Sequence, residues 1–353
     1  MSDLQIKGRG TALNPANRFE LIEIETDRDW LENGEVLSPQ TVYYEDNTRT
    51  ILSENDSPDI GFKYSINPYR GCEHGCIYCY ARPSHEYFGW SSGLDFETKI
   101  LVKRDAPRLL AEAFRRRAWQ PQVIAFSGNT DCYQPIERKL EITRRCLEVF
   151  RHFRNPLGLI TKNALILRDL DLLQELARRN LVSVAISITT LDNQLCHKME
   201  PRTSVPQKRL ETIAQLARAG VPVGVNVAPI IPGLTDREMP AILAAAAEHG
   251  AQRAGFILVR LPYANKELFV DWLKTHYPER TEKVLSAIRD VRNGGLNDPR
   301  FGTRFSGEGK RAEAIARLFQ VCCQKYGLNR CFTHLSTEHF RREENRQGDL
   351  FAE

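Results

Sequence analysis

Along the chain, short runs of β-branched and aliphatic residues alternate with longer stretches whose apolar positions recur at helical spacing. The strand-like runs fall at 62–67, 122–127, 157–161, 181–188, 222–228 and 255–260. Amphipathic stretches lie between and after them at 106–118, 137–153, 168–179, 206–219, 236–249 and 266–276. Six consecutive strand–helix units predict an α/β fold with a parallel sheet, curved into a partial (β/α)6 barrel; an open doubly wound sheet is the alternative. In both, reactive groups collect where the carboxyl ends of the strands meet the following loops. Polar residues mark those ends: Asn67, the run Ser127-Gly128-Asn129-Thr130-Asp131, Thr161-Lys162, Ser187, Asn226 and Arg260.

Outside this region the pattern changes. Residues 1–57 have no sustained period and read as an extended N-terminal arm. The core spans 58–277, a helical extension 278–340, with helices at 279–291 and 309–326 closed by Gly294 and Gly327, and a flexible tail 341–353. At 353 residues the chain can bury a large core, and no apolar run is long enough to span a bilayer, so membrane insertion is not expected. The first ten residues lack the apolar stretch of a secretory signal, and a cytoplasmic location is expected. The net charge of +4 is too small to demand a polyanionic partner, although 36 of the 49 basic residues are arginine.

Nine cysteines in a chain expected to be cytoplasmic point to metal or redox chemistry rather than disulfides. Three stand together directly after the first strand: Cys72, Cys76 and Cys79, in Gly71-Cys72-Glu73-His74-Gly75-Cys76-Ile77-Tyr78-Cys79. Thiolates on such a loop can converge on an iron–sulfur cluster, and three leave one iron without a protein ligand. A zinc site is the competing reading and requires a fourth ligand such as His74 or His85.

The spacing of these cysteines, the aromatic Tyr78 and the position after the first strand resemble the radical S-adenosylmethionine (radical SAM) superfamily, over about residues 58–260. The pieces Tyr78-Cys79-Tyr80-Ala81-Arg82, Thr161-Lys162, Glu200-Pro201-Arg202 and Ala228-Pro229-Ile230-Ile231-Pro232-Gly233 are similar to the branch that includes spore photoproduct lyase. The resemblance implies a [4Fe-4S] cluster on Cys72, Cys76 and Cys79, and SAM chelated to its free iron. Reductive cleavage then gives a 5′-deoxyadenosyl radical that abstracts hydrogen from a substrate, with electrons from a flavodoxin- or ferredoxin-type donor. Within that frame Lys162 suits the SAM carboxylate, Ser127, Gly128 and Asn129 its ammonium, and Ser187 the ribose. Tyr78 and Ile231 flank an adenine slot, Asn226 adds a polar strand end, and Arg202 is a candidate for the SAM carboxylate or a substrate phosphate. The branch's hydrogen-donor cysteine aligns with Asn129, and Cys132, three residues on, is the candidate donor.

The expected substrate is a nucleic acid, with photoproduct-lyase-like repair as the leading form of that reading. Modification of a protein or small molecule, or a non-enzymatic iron–sulfur electron carrier, are the alternatives. Lys99, Lys103, Arg104 and Arg82 suggest a basic rim for phosphate, and Asp131 and Gln134 lie on a loop suited to substrate contact. The tail peptide Gln347-Gly348-Asp349-Leu350-Phe351 resembles the short motif by which repair enzymes dock on the DNA sliding clamp. Cys322, Cys323, Cys331 and His334 could form an auxiliary metal site, but Cys322 shares an apolar helical face with Ile315 and Phe319.

Overall fold

The computed structural model describes residues 6–20, 39–330 and 334–342. Its main sheet holds the six predicted strands side by side in chain order. After two short strands, β1 (Val42–Glu45) and β2 (Leu52–Glu54), come β3 (Tyr64–Ile66) and β4 (Tyr69–Arg70). Helix α1 (Leu94–Thr98) runs into β5 (Lys99–Val102), followed by α2 (Ala106–Arg115) and β6 (Ile124–Phe126). Next are α3 (Glu137–Leu140), α4 (Ile142–Phe153), β7 (Leu157–Thr161), α5 (Leu170–Ala177) and β8 (Val182–Ser187). The chain continues through α6 (Asn193–Met199), α7 (Pro206–Arg218), β9 (Val223–Ile230), α8 (Met239–Glu248) and β10 (Arg253–Leu258). Helices α9 (Asn265–His276), α10 (Thr281–Val291) and α11 (Gly309–Tyr326) follow.

The sheet order is β10-β9-β8-β7-β6-β3-β2, all parallel except the β2–β3 pair. Its two edges do not pair, so the barrel is partial, as the strand–helix alternation predicts. At one edge Asn329 mimics a further strand: its side chain accepts from Ala254 N at 2.9 Å and donates to Ala254 O at 3.0 Å.

Each face of the strands has its own composition. Leu157, Leu159, Val182, Val184, Ile186, Val223 and Val225 are fully buried beneath the helices. The alternate positions are small or polar: Gly158, Ser183, Ala185, Ser187, Gly224 and Asn226. Ala185 stands beside Gly224 in register, and Ser187 beside Asn226. Small side chains leave the concave face with room for a ligand, while the convex face supplies the hydrophobic stabilisation.

Three departures from the sequence expectation have local causes. The predicted helix 137–153 breaks at Glu141, with φ 50°, because the Glu137 carboxylate turns inward and accepts the Thr143 N–H at 3.0 Å. Helix α6 was not anticipated; it is short, and its signal is Asp192, whose carboxylate accepts from Gln194 N and Leu195 N. The arm is more than an extension: it contributes β1 and β2, and its residues 6–20 pack on the cysteine loop. Cys322 and Cys323 are buried in the main core. Cys331 and the tail peptide at 347–351 lie outside the described residues. Among the described residues, no helix is long and apolar enough to cross a membrane.

Candidate functional site

The cysteine loop springs from the carboxyl end of β3, and the surrounding elements fix its backbone almost completely. Gly71 and Gly75 take φ values of +76° and +64°, which side chains rarely adopt. Cys72 N donates to Phe96 O at 2.9 Å, and Ile77 N to Met199 O at 3.0 Å. Beneath the loop lies Arg82, fully buried, donating to Cys76 O, Gly93 O and Gly75 O and paired with Glu97 at 2.5 Å. The other Glu97 oxygen accepts from Gly10 N at 2.9 Å, which ties the N-terminal arm to the loop. A Cβ on Gly10 would stand 1.9 Å from Gly75 O. The Gly10→Ala variant is therefore expected to detach residues 6–20, read as faster limited proteolysis in that segment and a loss of about 1–3 kcal/mol in unfolding free energy.

The second-strand loop, expected to contact substrate, instead braces the cysteine loop. Asp131 accepts from Thr161 Oγ1 and Lys162 N, each at 2.8 Å, and lies 3.4 Å from His74 Nδ1. Burial disfavours its charge, but His74 and these hydrogen bonds prevail and hold its carboxyl at about 2. Gln134, fully buried, accepts from Glu73 N at 3.0 Å and donates to Gly71 O. A saturated carboxylate and a buried amide are not available to a substrate.

The SAM candidates divide into two groups. Lys162 extends from the end of β7, its Nζ 6.0 Å from the centroid of the Tyr78 ring and 3.4 Å from Ala228 O. Its charge opposes the rise that burial imposes on the pKa of Cys76 and Cys79. Tyr78 and Ile231 share one apolar cluster with Cys76, and Ser187, the last residue of β8, stands beside Asn226 within β9. Lys162, Tyr78 and Ile231 sit together against the cysteine loop.

The rest are committed elsewhere. The Ser127 hydroxyl donates to Thr130 O at 2.6 Å and accepts from Cys132 N at 3.0 Å, so it closes its own loop. Gly128 O accepts from the Tyr80 hydroxyl, and Asn129 is exposed, its N–H bonded to Asn67 Oδ1. Arg202 pairs with Glu73 at 3.3 Å and donates to Gly8 O at 3.0 Å, joining the arm to the loop rather than facing a ligand. Cys132 is fully buried in the main hydrophobic core, its N–H donating to Ser127 Oγ, its carbonyl accepting from the Thr143 hydroxyl, and its thiol pKa raised by burial. A thiol enclosed there is not placed to hand hydrogen to a substrate. The basic rim also dissolves: Arg82 is internal, Lys99 pairs with Asp95 and Arg104 with Glu45. Lys103 is buried, with its pKa pushed down to about 8 by burial and Arg70.

Sequence reasoning passed over Glu200 in favour of its neighbour Arg202. Glu200 is buried beneath Tyr78, bonded to the Tyr78 hydroxyl, to Thr189 Oγ1 at 2.7 Å and to the buried Arg209. Burial alone would raise its pKa, but Arg209 and Lys162 outweigh that and hold the carboxyl at about 2. The available signal was Arg209, the one charged residue of α7 on its buried face, which calls for a buried partner, and Glu200 directly after α6 is that partner.

The donor set fits an iron–sulfur cluster. Burial raises the pKa of the Cys76 and Cys79 thiols, the latter to about 11, and Cys79 packs against both the apolar cluster that holds Cys76 and the one that holds Cys72. Among the described residues no three His, Cys, Asp or Glu side chains close around a single ion, as structural zinc requires. Three gathered thiolates, each free to take a different iron, suit a [4Fe-4S] cluster with one open coordination position.

Comparison with known proteins agrees with this chemistry. The sequence model of the Radical SAM superfamily matches residues 66–246. An uncharacterised protein of Mycobacterium tuberculosis is 36% identical over 232 residues, covering 65% of this chain and 68% of that protein. The radical SAM Nα-GlyT isomerase of Pseudomonas phage M6 is 24% identical over 202 residues, 57% of this chain and 40% of that one. Among solved structures, spore photoproduct lyase complexed with dinucleoside spore photoproduct has the same fold, with TM-score 0.55 and 17% identity over 81% of this chain and 80% of that one. With its three-cysteine loop at the head of a parallel six-stranded half-barrel and half its length matched by the family, the chain belongs to the radical SAM superfamily.

Proposed function

We propose that this enzyme reductively cleaves SAM at a [4Fe-4S] cluster held by Cys72, Cys76 and Cys79, and abstracts hydrogen from a nucleic-acid substrate. The observation that carries the cofactor reading is the cation Lys162, set beside the cysteine loop and over Tyr78. When bound, the cluster and SAM supply a one-electron hydrogen abstraction. The residues of this chain do the positioning. Lys162 attracts the SAM carboxylate, Ser187 and Asn226 present hydrogen-bonding groups from adjacent strands, and the Tyr78–Ile231 cluster excludes water. The likeness of fold to a lyase whose structure holds a dinucleoside photoproduct supports the nucleic-acid reading.

Anaerobically reconstituted protein with SAM and dithionite is expected to release 5′-deoxyadenosine, and release is expected to increase with single-stranded or ultraviolet-irradiated DNA. Cluster-loaded protein that neither binds SAM nor releases the nucleoside would leave an electron carrier as the better description. The Lys162→Gln variant is expected to assemble its cluster yet bind SAM about tenfold or more weakly, the loss of one charge-assisted contact of about 1.5–3 kcal/mol. The change in the electron paramagnetic resonance (EPR) signal of the reduced cluster on adding SAM reads this directly.

A further inference from the structure

The carboxyl end of β10 holds an arginine that pairs with no carboxylate among the described residues. Arg260 lies two residues beyond Leu258, half-buried, and its Nε is enclosed without a hydrogen-bond partner. The fully buried arginines are bonded throughout: Arg82 to Glu97, Arg209 to Glu200, and Arg292 to Leu258 O and Val259 O, each at 2.8 Å. Among the described residues, no carboxylate forms an ion pair with Arg260. Its guanidinium instead sits 5.1 Å from the centroid of the Phe305 ring.

Its surroundings add positive charge. Arg304 stacks 4.8 Å from both Phe301 and Phe305, and it occupies the nearby carboxylate, Asp59, at 2.7 Å. Burial and Arg304 push the Arg260 pKa down, and burial with Arg260 brings Arg292 down to about 10. Val259 and Leu261, which flank Arg260, share one apolar cluster with Cys76 and Tyr78, and Asn265 donates to Cys79 O at 2.8 Å, so this charge lies on the cysteine-loop side of the barrel. Tyr80 and Phe301 are 50% and 61% exposed, and Phe301 shares Arg304 with the Phe305 ring that Arg260 faces.

A half-buried guanidinium without a partner is unfavourable in the free protein, and an arriving oxyanion relieves it. Exposed rings next to such a cation suit flat bases in any sequence. We propose that Arg260 is a substrate-binding residue that takes a backbone phosphodiester of single-stranded or locally unpaired nucleic acid, whose neighbouring bases lie on Phe301 and Tyr80. This inference rests on the nucleic-acid reading above and assigns that substrate a place.

The test is the binding of a fluorescein-labelled oligothymidylate to cluster-loaded full-length protein over a range of salt. The variants are Arg260→Gln, Arg260→Lys and, as a charge control on the far surface, Arg116→Gln. Arg260→Gln is expected to weaken binding about tenfold and to flatten the logarithmic salt dependence by close to one phosphate contact, about 0.7. Arg260→Lys should lose about threefold with the salt slope kept, and Arg116→Gln should match the wild type. Far-UV circular dichroism and cluster absorbance establish that the variants are folded; if Arg260→Gln is not, Arg260→Lys decides, and unchanged affinity overturns the proposal. Wild-type binding with Arg260→Gln equal to Arg116→Gln overturns the subsite and leaves the nucleic-acid reading standing. No wild-type binding at low salt overturns both. A third arm follows SAM binding by EPR: if Arg260→Gln weakens SAM rather than oligonucleotide, the guanidinium serves the SAM carboxylate and the proposal fails.

Discussion

The Cys76→Ala variant is expected to fold, to hold no [4Fe-4S] cluster, and to release 5′-deoxyadenosine from SAM at less than about a thousandth of the wild-type rate, a loss of roughly 4 kcal/mol or more in transition-state terms. Cys76 lies in the middle of the three, buried between Tyr78 and the Arg82 side chain that holds its carbonyl. Among the described residues no other sulfur stands ready to replace it. The Cys132 thiol faces the main core, and Cys196 is held by Arg209 at 3.4 Å. The backbone bonds that shape the loop do not use the sulfur, so circular dichroism of the apoprotein should be unchanged. Iron and sulfide content, the EPR signal and nucleoside release would be measured together. A variant with full cluster content and normal release would remove the cysteine loop from the chemistry.

The largest effect on stability is expected from Arg209→Met. Arg209 is 1% exposed and donates to Ser204 O at 2.7 Å, to Ser187 O at 2.9 Å and to the Glu200 carboxylate. A methionine of similar length fills the space but leaves Glu200 as a buried anion with only hydroxyls and Lys162 for company. Removing one partner of such a pair costs about 3–5 kcal/mol. At roughly 2–4 °C per kcal/mol, thermal unfolding should move down by about 10 °C. Glu200→Gln in the same chain should recover part of it by removing the stranded charge. The pair also sets an acid limit. The folded carboxyl is held at about 2, below its ordinary value near 4.5, so its contribution is complete above that value and fades as pH falls towards 2. The acid unfolding midpoint of the wild type should therefore lie below that of Arg209→Met.

The barrel was legible because its signals are repetitive and local: alternating periods, polar strand ends, and glycines at the cysteine loop. Helices 206–219 and 309–326 match α7 and α11 to within a residue, since Pro206 starts one and Gly327 ends the other in the left-handed region. What sequence could not supply was the destination of polar side chains. Gln134, Asp131 and Arg202 look like ligand-facing groups in a linear motif, and they are internal ties because their partners lie far away in sequence, such as Gly8 for Arg202, while Arg82 folds back under its own loop to Cys76 O and Glu97. The same long range hid the role of the arm. Its Arg9 is buried against Glu97 O at 2.8 Å, a contact across 88 positions that no local period encodes.

That arm bears on how the enzyme can be divided. The span that the superfamily shares, 66–246, contains all three cysteines and four whole strands of the six parallel ones, β6 to β9, with only the last residue of β3. A fragment cut to those limits would nevertheless expose the Glu97 carboxylate that Gly10 covers and strip the loop of the Arg9 contact. It would also drop β10, and with it Arg260 and the phenylalanines beside it. The segment that defines the family is therefore not the smallest working piece of this protein: residues 6–20 close one wall of the cysteine loop, and the piece from 253 to 305 builds another.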